Sequence, residues 1–252
     1  MNSKIALITG SSRGLGKNTA LAVAKKGNDV IVTYHSKQLE AEEVVAEIER
    51  LGQKAIALHL DVASIQSFDG FVALVQEALK SKWNTECFDY LVNNAGIGIH
   101  ASFTETTEEQ FDQLVNIHFK SVFFLTQKLL PFMANGGRIV NISSGLTRFA
   151  FPGYAAYAAM KGAIETLTKY LAKELGPRGI AVNVVAPGAI ETDFGGGSVR
   201  DNVQINKYIA SQTALGRVGL PEDIGGVIAS LLSEDNRWVN AQRIEVSGGM
   251  YI

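Results

Sequence analysis

The feature that most constrains this chain is a rhythm: short apolar runs alternate with amphipathic stretches of helical period from residue 4 to residue 246. Strands covered on both faces read as continuous apolar runs, and the stretch between two parallel strands must be long enough to cross the sheet, usually as a helix. The expected strands are residues 4–9, 29–34, 54–60, 89–93, 137–143, 180–186 and 243–246. The helices between them are expected at 15–26, 37–51, 65–80, 107–133, 154–175 and 221–232, the fourth of them bent. This alternation predicts an α/β fold: a Rossmann-type, doubly wound parallel sheet of about seven strands with helices on both faces. It leaves no room for a separate substrate domain, so residues 1–252 are read as one domain.

Apolar residues make up 46% of the chain and charged residues 19%, enough for a substantial core. A net charge of −2 gives no electrostatic basis for binding nucleic acid or an anionic membrane. No apolar run reaches the ~18 residues of a spanning helix, and no charged-then-apolar leader precedes residue 5, so a soluble cytoplasmic protein is expected. Cys87 is the only cysteine, which rules out an internal disulfide and a thiolate metal site; no metal is expected.

Two stretches break the rhythm. Residues 81–88 are a polar connection. Residues 187–213, with Gly195-Gly196-Gly197, follow the sixth strand at its carboxyl end, where open α/β sheets bind ligands. A lid over a substrate is expected across about 189–213.

The first strand runs through Thr9-Gly10-Ser11-Ser12-Arg13-Gly14-Leu15-Gly16 directly into a helix. Gly10 allows the tight turn, Gly14 allows close approach of a pyrophosphate, and Gly16 allows the helix to pack on the strand. The helix N-terminus supplies free amides and a partial positive charge. The spacing GxxxGxG differs from the common GxGxxG, so the strand-before, helix-after context carries the reading. At the end of the second strand an NAD site places an acid against the ribose hydroxyls. Here the chain reads Thr33-Tyr34-His35-Ser36-Lys37, with no acid, and Arg13, Ser36 and Lys37 are available to a 2′-phosphate. NADP(H) is favoured over NAD(H), which is still admissible.

Tyr157-Ala158-Ala159-Met160-Lys161 puts a phenol and an ammonium one helical turn apart on one face. A neighbouring cation stabilises phenolate and lowers a tyrosine pKa from ~10. Such a tyrosine can protonate an alkoxide or deprotonate an alcohol. Tyr154 lies two turns from Lys161 and is the poorer candidate. The fifth strand ends in Ser143-Ser144-Gly145, and the Ser144 hydroxyl is placed to hold a reacting oxygen.

Taken together, Thr9-Gly10-x3-Gly14-x-Gly16, Asn93-Asn94-Ala95-Gly96, Ser144 and Tyr157-x3-Lys161 resemble the short-chain dehydrogenase/reductase family. Asp61-Val62, Asn116, Asn183, Pro187-Gly188 and the stretch 242–249 extend the resemblance over residues 3–251. It implies an oxidoreductase acting on a carbonyl/secondary alcohol pair, with the catalytic set Asn116, Ser144, Tyr157 and Lys161. Tyr157 would be the acid/base, Ser144 the orienter, Lys161 the pKa modulator and ribose ligand, and Asn116 the holder of a relay water. Asp61 and Val62 would contact adenine, Asn93, Ala95 and Gly96 would line the cofactor, and Ile190 and Thr192 would hold the carboxamide. The resemblance also implies a homotetramer or homodimer. The chain departs from the family at Ser247, where aspartate is usual, at Thr19, and at His35, where NADP enzymes of the family often carry arginine.

The expected substrate walls are Ile97 to His100, Leu146 to Phe149, Phe151, Tyr154 and the lid from Asp193 onward, including Phe194; they are apolar and aromatic, with His100 and Arg148 as polar handles. Within the family the nearest groups are 3-oxoacyl-carrier-protein reductases and sugar or polyol dehydrogenases. A carrier-protein partner is disfavoured because Arg138 stands alone before the fifth strand. A non-catalytic NADP(H) sensor or scaffold is the reading from another class, and the full tetrad argues against it.

Overall fold

The computed structural model describes residues 3–252. Seven parallel strands form one sheet in the order β3-β2-β1-β4-β5-β6-β7. They are β1 (Ile5–Ile8), β2 (Asp29–Tyr34), β3 (Ala55–His59), β4 (Phe88–Asn93), β5 (Met133–Ile142), β6 (Ala181–Pro187) and β7 (Arg243–Val246). The pleat sorts β1 between two cores, because successive side chains leave opposite faces of a strand. Ala6 and Ile8 join the cluster under α1 (Gly14–Lys25) and α2 (Gln38–Arg50). Ile5 and Leu7 join the one under α3 (Phe68–Ala78). All four β1 residues are buried, which is why the sequence shows a run rather than an alternation.

The chain leaves β1 in one direction for β2 and β3 and returns on the other side for β4 to β7. The crevice between the carboxyl ends of β1 and β4 is therefore the topological switch point, where such sheets bind ligands. Asn94 stitches it together: its Nδ2 donates to Thr9 O at 2.8 Å and Gly10 O at 3.1 Å. Thr9 Oγ1 in turn accepts from the Asn94 and Ala95 amides, both at 2.9 Å.

The bent helix expected at 107–133 resolves into α4 (Glu108–Val115), a π-helical turn (Asn116–Lys120), α5 (Ser121–Leu129) and a 3-10 turn (Leu130–Phe132). A capping box starts it: Thr107 Oγ1 accepts from the Gln110 amide, and Gln110 Oε1 from the Thr107 amide. Pro131 lies in the closing turn and has no amide to continue the helix. β5 then begins four residues earlier than expected, because Met133 pairs with Phe88 across a register shift. Part of the 81–88 connection is also ordered, with a π-helical turn at Leu79–Trp83 closed by left-handed Asn84.

α6 (Ala155–Glu174) crosses to β6. The 189–213 stretch, expected as a loop, contains α7 (Ser198–Asp201) and α8 (Val203–Ser211). Asn202 caps α8, its Oδ1 accepting from the Gln204 and Ile205 amides. α8 buries Ile209 against Val218 and Met250, a short contact that gives little period to read in the sequence. α9 (Pro221–Leu231) packs on α1 and leads to β7. No helix among the described residues is long and apolar enough to cross a membrane.

Candidate active site

The segments that follow β1, β4, β5 and β6 carry most of the residues singled out by the sequence. The glycine loop is shaped by close approach. A Cβ on Gly10, at φ +62, would lie 2.9 Å from Ala95 Cα. A Cβ on Gly14, at φ +55, would face Thr192 at 3.7 Å, so the loop and the post-β6 segment stand opposite each other. Arg13, the residue before α1, makes no side-chain cap, and the first turn of α1 holds no acid. An uncapped helix N-terminus free of acids fits a pyrophosphate, so the residues present accommodate a dinucleotide. Ser12 is buried in the loop, and Leu15 packs on the core beneath it.

At the end of β2 the basic candidates already have acidic neighbours. His35 Nε2 stands 3.9 Å from Asp61, and the Lys37 ammonium 3.3 Å from Glu40. Arg13 reaches across to Asp193 of the post-β6 segment at 3.3 Å, and Asp193 also pairs with Arg200. Ser36 is exposed. A 2′-phosphate would therefore compete with carboxylates for these groups. Asp61 also accepts from the Ala63 amide, and Val62 packs on the core.

Asn93, expected against the cofactor, turns its side chain into the sheet. Its Nδ2 donates to Asn141 Oδ1 at 2.8 Å and Thr126 Oγ1 at 3.1 Å. Pro187 ends β6, and the Gly188 amide is spent on Val246 O. Ile190 is bridged to Gly219, and Thr192 Oγ1 accepts from the Phe194 amide.

Tyr157 and Lys161 are both buried on α6, the ammonium 5.6 Å from the phenol ring centre. The Lys161 ammonium donates to Ile142 O at 2.8 Å. Ser144 follows β5, and its hydroxyl lies close enough to Tyr157 to favour the phenolate and accepts from the Leu146 amide at 3.2 Å. The loop carrying Ser144 is tied down from behind: Arg243 donates to Glu165 at 2.7 Å and to Thr147 Oγ1 at 3.0 Å, and Thr147 Oγ1 donates to Ser144 O at 2.8 Å. Asn116 opens the π-helical turn, and its carbonyl accepts from the Ser121 amide.

The sequence reading gave Lys161 the task of lowering the Tyr157 pKa. Burial dominates and holds Tyr157 above the ordinary phenol value, with the nearby Ser144 hydroxyl pulling the other way. The same burial brings Lys161 down to about 7. Both groups pay for leaving water, and Lys161 has no anion beside it to keep it charged.

Aromatic rings surround the phenol. Tyr154 stands 6.5 Å from Tyr157, Phe194 of the post-β6 segment 5.7 Å, and His118 meets it edge-on at 5.1 Å. His100 and Phe151 pack on Tyr154 at 5.0 and 6.3 Å. Phe149 instead packs on Tyr251 at 4.8 Å, and Arg148 is held by Glu245 and by the carbonyls of Met250 and Tyr251. These two clamp the C-terminal segment. His118 escaped the sequence reading: one histidine in the long helix carried no spacing signal, and only the fold brings it against Tyr157. Among the described residues no cluster of three or more His, Cys, Asp or Glu could hold a metal.

Comparisons with known proteins place this geometry. The family model described as enoyl-(acyl carrier protein) reductase matches residues 10–251. The hydroxynaphthalene reductase-like protein Arp2 of Metarhizium robertsii is 36% identical, with 99% of this chain and 95% of that protein covered. The promiscuous reductase LugOII, which catalyses keto-reduction at C1 during lugdunomycin biosynthesis, superposes with a TM-score of 0.94 at 38% identity, covering 99% of this chain and 98% of that one. The angucycline C-6 ketoreductase LanV with bound NADP gives 0.94 at 35% identity, covering 98% of this chain and 95% of that one. With the glycine loop, Ser144 and the Tyr157-Lys161 pair meeting at one switch point, and with these matches spanning nearly its whole length, the chain belongs to the short-chain dehydrogenase/reductase family.

Proposed function

We propose that the protein is an NADP(H)-dependent oxidoreductase that interconverts a ketone or other 3-oxo compound and a secondary alcohol. The observation that carries this is Tyr157, buried on α6 with the Ser144 hydroxyl nearby and the Lys161 ammonium 5.6 Å from its ring centre. NADPH supplies the hydride when bound. Ser144 holds the carbonyl oxygen, Tyr157 gives it a proton as it becomes an alkoxide, and the Lys161 ammonium stabilises the phenolate left behind. In the reverse direction Tyr157 takes the proton back. Asn116 would hold a water linking Lys161 to solvent.

A flat aromatic or polycyclic ketone suits the wall of His100, Phe151, Tyr154 and Phe194 around the phenol. Relatives described as a hydroxynaphthalene reductase-like protein and as angucycline ketoreductases support the same class. The carrier-protein reading loses ground: Arg138 is committed to Ser233 and Glu234, and Arg178 to Asn135 and the Leu130 carbonyl. The same proposal places the enzyme in the cytoplasm as a homotetramer or homodimer, supported by exposed Phe111, Phe123 and Tyr170 on α4 to α6.

The test is NADPH and NADH oxidation over a panel of polycyclic ketones, 3-oxoacyl thioesters and sugars. Turnover is expected with aromatic ketones and NADPH. Arg13→Ala should weaken NADPH by roughly tenfold and leave NADH nearly unchanged, since only NADPH carries the phosphate. Equal loss for both cofactors would overturn the NADP assignment, and tight NADPH binding without turnover of any carbonyl would favour a sensor.

A pH effect follows from Lys161. Its ammonium form is present below about 7 and is lost above it. Since reduction needs that charge beside the phenol, kcat/KM should be level on the acid side and fall about tenfold per pH unit on the alkaline side. A profile flat across two units above neutrality would show that the charge is not required.

A further inference from the structure

His118 is buried to 1% exposure, and its Nδ1 has no hydrogen-bond partner among the described residues. Its other nitrogen is settled: Nε2 lies 2.8 Å from Ile97 O and 3.3 Å from Ile97 N, and the shorter contact selects an Nε2–H that donates to the carbonyl. In the neutral ring Nδ1 is then a bare acceptor. A buried acceptor left unsatisfied is costly, and each one calls for an explanation.

The surroundings say what kind of donor would meet it. The ring sits against Gly96 so closely that a Cβ there would lie 2.7 Å from His118 Cε1 and 3.3 Å from Nδ1. It stands edge-on to Tyr157. The Lys161 ammonium borders the same Tyr157 ring, 5.6 Å from its centre, and burial, with that charge nearby, drives the imidazole pKa down to about 3 and keeps it neutral. Among the described residues the Lys161 ammonium finds one acceptor, Ile142 O, so two of its three N–H groups are free to donate. A hydroxyl meets both needs with one atom: its oxygen accepts from an ammonium while its hydrogen donates to an imidazole lone pair.

We propose that His118 is a positioning residue for proton transfer, its Nδ1 accepting a hydrogen bond from a hydroxyl lodged between it and the Lys161 ammonium. The hydroxyl is that of a water or of the ribose next to the nicotinamide. By accepting from Lys161 it stabilises the charged form beside Tyr157. The inference rests on the carbonyl-reductase reading above.

Two half-isosteres separate the functions of the ring. Asparagine places a carbonyl oxygen near the Nδ1 position and drops the Ile97 pin, while glutamine restores a donor to Ile97 and drops the Nδ1 acceptor. His118→Asn, His118→Gln and His118→Leu are compared with wild type for kcat/KM against pH with NADPH and an accepted ketone. Fluorescence titration of NADPH and thermal melting accompany the rates. The expected order is wild type, then Asn, with Gln and Leu lower by about tenfold. The alkaline limb should move to lower pH by roughly one unit in Gln and Leu and stay in place in Asn, because loss of the hydroxyl leaves the ammonium less stabilised. With that order, an NADPH Kd weakened about tenfold in Gln and Leu assigns the hydroxyl to the ribose, and an unchanged Kd assigns it to water. A Gln variant at wild-type rate beside a crippled Asn variant would reduce His118 to a pin on Ile97 and overturn the proposal. So would a limb that stays fixed in all three. If Leu does not fold, the Asn and Gln pair still decides. A wild-type enzyme that reduces no carbonyl would overturn the function itself, and that is seen before any variant is made.

Discussion

Tyr157→Phe is expected to lower carbonyl reduction by about a thousandfold or more while leaving NADPH affinity within about threefold of wild type. The reason is how little the substitution removes. The ring packs edge-on to His118 and beside Tyr154 and Phe194, and phenylalanine keeps all of those contacts. What goes is the hydroxyl, the part of Tyr157 nearest the Ser144 side chain. No other described group is both protonated and as well placed: Tyr154 is the nearest phenol, but its ring is taken up by His100 and Phe151. Burial holds the Tyr157 proton firmly in the protein without cofactor, so the residue enters the reaction as an acid. The measurement is a steady-state assay with NADPH and an accepted ketone, paired with a fluorescence titration of NADPH. A variant within tenfold of the wild-type rate would mean that the proton comes from elsewhere. Equal loss of rate and NADPH affinity would mean that the hydroxyl serves cofactor binding.

The parts of this molecule that were legible in the sequence are those whose physics is local. A strand buried on both faces must be an apolar run, so β1 to β6 could be found one by one, and parallel crossovers then fix the α/β class. Tyr157 and Lys161 share one helix, and their register is a matter of counting. Where long-range contact decides, the sequence was mute. Met133 is a strand residue because Phe88 pairs with it, not because of its neighbours in the chain. The side chain of Asn93 looks like a ligand contact in the linear motif and is in fact committed to Asn141 and Thr126. Arg148 reads as a polar handle for substrate, yet it clamps the C-terminal segment through Glu245. His118 and the Glu165–Arg243 pair support the site from elements distant in sequence, and no spacing rule connects them.

Gly16→Ala probes the glycine at which an added methyl comes nearest to backbone. A methyl there would stand 2.2 Å from Gly10 O, 2.6 Å from Asn94 Nδ2 and 2.8 Å from Ser11 Cα. Two of those atoms are backbone and the third is already bonded to Thr9 O and Gly10 O, so none can step aside cheaply. To make space, α1 must move off the loop, and the Asn94 stitch between β1 and β4 opens with it. Overpacking of this kind costs about 2–3 kcal/mol. The loss of cofactor affinity should be larger than that implies, because the displaced amides are those proposed to bind a pyrophosphate. NADPH binding is expected to weaken by at least about tenfold, with a lower melting temperature. Gly226→Ala is the control: it lies exposed on α9 with nothing within 4 Å of the added methyl, and alanine there should stabilise the helix by up to about 1 kcal/mol. If Gly16→Ala binds NADPH as wild type does and melts no lower, the close packing of helix on loop is not what shapes the cofactor cradle.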